Sequence, residues 1–286
     1  MPIRTIGDYH PSITNASKSV LLELITILKS YRDSLVLIGG WVPYFILERH
    51  KPKEIDFTHI GSIDIDLVID PRVIDEEKYD TITRMLLNRD YEPSKEILYQ
   101  FERTVKSDID DKDYTVLVDF LSPQPPKGKG SSRRHRQIQP DLKARNLPGA
   151  DIALQLNQKV LLRGILPANG ETEIEFKMAD LTSFLALKGI AFGERYQEKD
   201  AYDIYSLCDY YKGGPVSVAE EIRPKKDVKV VKNGLNAIRQ RFRDINAEGP
   251  SWVANFLAIG DAKEKEDMKR RSFTVVNEML RNLGIF

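Results

Sequence analysis

This 286-residue chain has one cysteine, four histidines and no net charge, and each shortage closes a route. Cys208 alone cannot form an internal disulfide, and its apolar and aromatic surroundings predict a buried, inert thiol in a reducing compartment. His10, His50, His59 and His135 share no ligand spacing, which argues against a histidine-built zinc site. Lysine plus arginine equals aspartate plus glutamate at 43 each, so no global field draws the chain toward a polyanion. Any such partner must be held by a local patch. No apolar run approaches the length of a bilayer crossing, and the start, Met1-Pro2-Ile3-Arg4, turns polar without a signal-type apolar stretch. The expected compartment is therefore the cytoplasm, with no membrane partner. Internal repeats are also lacking.

Hydrophobic residues make up 41% and charged residues 30%, enough to build a core without staples, and the length favours two modules. Val20, Leu21, Leu24, Ile25 and Leu28 follow a helical period, predicting a helix over 17–31. Leu35 to Ile38 is an apolar run stopped by Gly39-Gly40, a buried strand entering a tight turn, and 41–49 reads as a short helix with Pro43 in its first turn. Ile63, Ile65, Leu67 and Ile69 alternate with Asp64, Asp66, Val68 and Asp70, the period of a strand. A helix over 76–88, an extended stretch over 97–105 and a strand over 114–121 follow. Prolines, glycines and basic residues between Ser122 and Pro148 predict a long surface loop. Asn169-Gly170 between two extended stretches predicts a hairpin. Beyond it, 179–192, 200–211, 228–245, 251–259 and 262–283 all suit helices. The expected class is α+β, with a mixed-sheet domain over 1–178 and a mainly helical domain over 179–286.

Three pieces carry chemistry. Asp64 and Asp66 lie two apart on one strand, so both carboxylates share a face and can bind hard cations; unrelieved, such a pair repels itself. Asp119, in Val116-Leu117-Val118-Asp119-Phe120, can supply a third carboxylate to a two-metal site. The Gly39-Gly40 turn lets backbone N–H groups approach phosphate oxygens, aided by the helix that starts near Trp41.

This order resembles the nucleotidyltransferase superfamily, whose signature is a strand, a Gly-Gly or Gly-Ser turn, a helix, a D-x-D strand and a later third acid. The interval from Gly40 to Asp64 is longer than in the compact motif and implies an insertion over 51–60. Trp41 stands where many members have serine, as it does in lincosamide- and aminoglycoside-modifying members. Lys188, followed by Lys199-Asp200-Ala201-Tyr202-Asp203-Ile204-Tyr205, looks like the AbiEii-type branch, the toxin component of abortive-infection and toxin-antitoxin pairs. The resemblance implies the nucleotidyltransferase fold and transfer of a nucleoside monophosphate from an NTP to an acceptor, with Mg2+ held by Asp64, Asp66 and Asp119. It further implies nucleotide binding at Gly39, Gly40, Trp41, Ser62 and Lys188. Asp119 would serve as base, Lys188 would meet the triphosphate and Asp200 would orient it. RNA, such as a tRNA end, would be the acceptor, and a cognate antitoxin a partner; an antibiotic-type small acceptor, or a non-catalytic module reusing the fold, is the alternative.

Lys127, Lys129, Arg133, Arg134 and Arg136 fall within ten residues without an acid, either a solvated loop or an RNA-phosphate contact. Lys265, Lys269, Arg270 and Arg271 are a weaker second patch. Asp70 and Asp75 are expected to cap turns or helices, and Tyr202, Tyr205, Tyr210 and Tyr211 to serve as core and rim aromatics.

Overall fold

A computed structural model describes residues 5–74, 80–125, 134–167 and 170–285. Asp75, the start of the helix expected over 76–88, the basic residues Lys127, Lys129 and Arg133, and Asn169 of the turn lie outside them.

In chain order the elements are α1 (Pro11–Ile27), β1 (Leu35–Ile38), α2 (Trp41–His50), β2 (Asp64–Ile69), α3 (Ile82–Leu87), β3 (Glu92–Pro93), β4 (Gln100–Lys106) and β5 (Asp113–Pro123). They continue with β6 (His135–Gln139), β7 (Leu142–Leu147), α4 (Asp151–Gln155), β8 (Asn157–Ile165) and β9 (Glu171–Ala179). The helices α5 (Leu181–Glu194), α6 (Glu198–Tyr210), α7 (Pro215–Ile222), α8 (Lys229–Arg241), α9 (Glu248–Phe256) and α10 (Ala262–Asn282) complete the chain. The class is α+β, a mixed sheet followed by a helical C-terminal region. Among the described residues no helix is long and apolar enough to cross a membrane.

Two compact units result, and a single cut near residue 178 does not separate them. One contains Pro11–Trp41 and Ser62–Ala179; the other gathers the stretch ending at His10, Val42–Gly61 and the chain from Asp180 onward.

The first unit is built on the sheet, whose strand order is β3-β4-β5-β2-β1-β9-β8, with β7 also on β5 and β6 on β7. β1 runs antiparallel to β2, and β2 parallel to β5. The apolar face of the alternating strand β2 turns toward α1: Ile25, Leu28, Leu35, Leu37, Leu67 and Phe176 meet around one small cavity. Because strand side chains alternate, Asp64 and Asp66 are placed on the opposite face. α1 begins six residues ahead of the expected start at Ser17, which is a buried core residue.

The stretch expected as a long loop from Ser122 to Pro148 is corrected by the structure: it carries β6 and β7, and β7 pairs in parallel with β5 through Leu121↔Arg145, Ser122↔Asn146 and Pro123↔Leu147. Buried Leu142 and Ala144 alternate with exposed Lys143 and Arg145, a strand period that the surrounding prolines and glycines obscured.

The helical unit is held by close helix crossings. A Cβ on Gly189 of α5 would lie only 2.4 Å from the Gly234 carbonyl oxygen of α8, so only glycine permits this approach. The long interval between Gly40 and Asp64 also acquires a physical reason. After α2 it forms no regular element, but Phe57 stacks on Tyr210 of α6 with ring centroids 3.8 Å apart, and His59 stacks on Tyr202 at 5.1 Å. The inserted segment thus supplies core to the helical unit.

Candidate active site

Asp66 and Asp119 are register partners on the parallel pair β2–β5, while Asp64 stands opposite Leu117. Partners in register share a face, so the three aspartates project from one side of two adjacent central strands. All three are partly buried. Gln100, which opens β4 and is the register partner of Asp119, donates its side-chain N–H to Asp119 Oδ1 at 2.8 Å. Burial raises the Asp119 pKa above the usual carboxylate value, opposed by the Gln100 hydrogen bond; the negative charge of Asp64 raises it further and Arg145 opposes it. The sheet has therefore crowded like charges onto one face.

Hard carboxylate oxygens on adjacent strands suit a Mg2+-type cation. Among the described residues no three His, Cys, Asp or Glu side chains are grouped tightly enough to hold a metal ion as they stand.

Gly39 ends β1 at the same place. Its φ is +78°, a left-handed conformation natural only to glycine, and a Cβ there would lie 2.1 Å from Asp66 Oδ2. The paired-glycine bend is in direct contact with the D-x-D carboxylate. Trp41, expected beside the nucleotide, is a core residue: it is 1% exposed and donates its indole N–H to Ser17 Oγ at 3.2 Å. What it offers a phosphate is backbone. Ser62 is buried two residues before Asp64. Asp70 caps the turn after β2, accepting the Arg72 backbone N–H at 3.0 Å and its guanidinium at 2.8 and 2.9 Å.

In the helical unit, Lys188 and Asp200 belong to a buried charge network. Lys188 Nζ lies 2.8 Å from Asp200 Oδ1 and 2.9 Å from Asp203 Oδ2. Lys199 Nζ donates to Asp203 Oδ1 at 2.7 Å, and the half-exposed Arg195 grips Asp200 with two bonds of 2.8 and 3.0 Å. The Gly61 N–H donates to His59 Nδ1 at 3.1 Å, so the ring carries its proton on Nε2, which faces Asp203 Oδ1 at 3.1 Å. Burial works against the Lys188 charge, yet Asp200 and Asp203 hold its pKa above the ordinary lysine value. Burial likewise opposes ionisation of Asp203, yet Lys199 and Lys188 keep its pKa low. Burial lowers Lys199 and pushes His59 down to about 4. Lys188 and Asp200 were legible from their motif. Gln100, Arg195 and His59 carried no sequence signal, while the i, i+3 spacing of Asp200 and Asp203 was the available hint for Asp203.

Of the basic run, Arg134 and Arg136 are described; Arg136 is half-buried on β6 and Arg134 exposed just before it.

The chain matches no protein-family model and no curated protein. Among solved structures it is similar to the crystal structure of JHP933 from Helicobacter pylori, 12% identical with a TM-score of 0.41, over 94% of this chain and 92% of that one. A likeness this low carries no argument about fold or activity.

Proposed function

We propose that the chain is a Mg2+-dependent nucleotidyltransferase of the nucleotidyltransferase fold, moving a nucleoside monophosphate from an NTP to an acceptor hydroxyl. RNA, such as a tRNA end, is the acceptor by resemblance to AbiEii-type toxins. The observation that carries this reading is the register Asp66↔Asp119 on β2 and β5, with Asp64 on the same face and Gly39 against the Asp66 carboxylate.

Asp64, Asp66 and Asp119 would hold Mg2+, which supplies charge stabilisation for the phosphates and activation of the attacking oxygen. The bend at Gly39 and Gly40 presents backbone N–H groups without side-chain bulk, which suits triphosphate oxygens. Asp119, its pKa raised by burial and restrained by Gln100, is the group to accept the acceptor's proton. Lys188 and Asp200 have roles at the triphosphate by resemblance alone; their ion pairs favour Asp200 and Asp203 as the residues that keep the Lys188 head in place.

The test is transfer of label from each NTP to total RNA, tRNA or small hydroxyl compounds, with and without magnesium. Asp66→Asn is expected to lower the rate by about a thousandfold, about 4 kcal/mol of barrier, with a melting temperature no lower than that of the wild type. Label entering only a small compound would replace the RNA acceptor by an antibiotic-type one. The absence of label with every acceptor would leave the non-catalytic reading.

A further inference from the structure

Two cations stand on the same face of the sheet as the three aspartates. Arg145 pairs with Leu121, two residues past Asp119 on β5, so it shares the Asp119 face; Lys143, two residues before it on β7, shares that face too. Both are exposed, and among the described residues neither forms an ion pair. Across from them on β6, His135 pairs with Arg145 and Gln137 with Lys143. The His135 ring in turn lies against Tyr99, centroids 5.5 Å apart with 30° between planes, and both rings are partly exposed.

The position of this strip separates it from the place expected for NTP phosphates. The strands run β1, β2, β5, β7 across this part of the sheet, with the glycine bend at the end of β1 and the acids on β2 and β5. β7 is three strand spacings from β1, about 14 Å. Glycine bend and basic strip thus flank the acidic trio on opposite sides, one for the donor and one for whatever receives. A small cationic acceptor would be repelled by the strip, whereas a phosphodiester chain is attracted, and adjacent ring faces suit unpaired bases.

We propose that the β6–β7 ribbon is the acceptor subsite: Lys143 and Arg145 hold backbone phosphates of a single-stranded nucleic acid, and the Tyr99–His135 pair gives a base a face to stack on. Its role toward an acceptor rests on the nucleotidyltransferase reading; the binding itself does not.

The experiment uses the full chain, an end-labelled single-stranded RNA oligonucleotide of mixed sequence, and fluorescence anisotropy over a salt series. The wild type should bind with an affinity that falls as salt rises. K143E/R145E should bind at least about tenfold more weakly, and the neutral K143Q/R145Q should show a log–log salt slope shallower by about 1.4, the share of two neutralised phosphates. Tyr99→Ala should weaken binding by about tenfold with the slope unchanged. ATP affinity in the presence of magnesium should be unchanged in Tyr99→Ala, and the charge variants should melt with the wild type, since Lys143 and Arg145 are exposed. Failure of the wild type to bind RNA, or equal affinity and slope in both charge variants, overturns the subsite. RNA binding that depends on Lys143 and Arg145 without nucleotide transfer keeps the subsite and rejects the transferase; transfer to a small compound without RNA binding does the reverse.

Discussion

His59 ties the stability of the helical unit to pH in a direction that the structure fixes. The ring is fully buried, accepts the Gly61 N–H at Nδ1 and faces Asp203 Oδ1 through Nε2, with Lys199 on that same oxygen and Lys188 on Oδ2. Burial lowers its pKa from 6.5 to about 4. An unfolded chain therefore takes up a proton as the pH falls through 6.5, while the native chain refuses it until about 4, so stability declines with falling pH across that window. Above the window both states are neutral and the dependence vanishes; below it both are protonated and no further loss arises from this group. The gap of about two and a half pK units, at about 1.4 kcal/mol each, corresponds to about 3 kcal/mol over the whole window. About 2 kcal/mol of that falls between pH 6.5 and about pH 5, before the carboxylates Asp200 and Asp203 begin to matter. Their lowered pKa values place their own loss below the ordinary carboxylate range. The assay is urea unfolding followed by circular dichroism at several pH values. His50, also lowered by burial, adds a slope of the same sign, so the comparison is with His59→Gln, which should be less stable near neutrality but flatter in pH. Stability that does not change between pH 6.5 and about pH 5, or a His59→Gln slope equal to that of the wild type, refutes the reasoning.

Lys188→Met should destabilise the chain by about 3 kcal/mol, because it removes one partner from a buried network and leaves Asp200 to Arg195 and Asp203 to Lys199 and His59; urea midpoints check it, and a loss below about 1 kcal/mol would show that the network reorganises freely. Gly39→Ala places a methyl group 2.1 Å from Asp66 Oδ2 at a φ of +78°, so it should cost about 1–2 kcal/mol in stability and also displace the Asp66 carboxylate. Normal nucleotide transfer by that variant would separate the glycine bend from the chemistry.

Local elements were readable where one physical signal dominated. Leu35 to Ile38 is a strand with the predicted limits because four apolar residues meet a glycine pair, and α2 starts at Trp41 as the turn requires. Period two gave β2 and the common face of Asp64 and Asp66. The β6–β7 ribbon was not readable, since its strands are held by pairing to β5, a contact distant in sequence, and its composition is that of a loop. Nor was the destination of 51–60, whose Phe57 and His59 serve a helix well over a hundred residues later.

Which residues bear charge, which strand puts two aspartates on one side and where glycine interrupts the chain all follow from side-chain chemistry and backbone period alone. Tertiary structure decided that Asp119 stands level with Asp66, that Gln100 restrains it, that Lys143 and Arg145 join the same face, and that Lys188 is enclosed by two aspartates. Register and burial set those facts, and both depend on which distant segments pack together, a property no local pattern encodes.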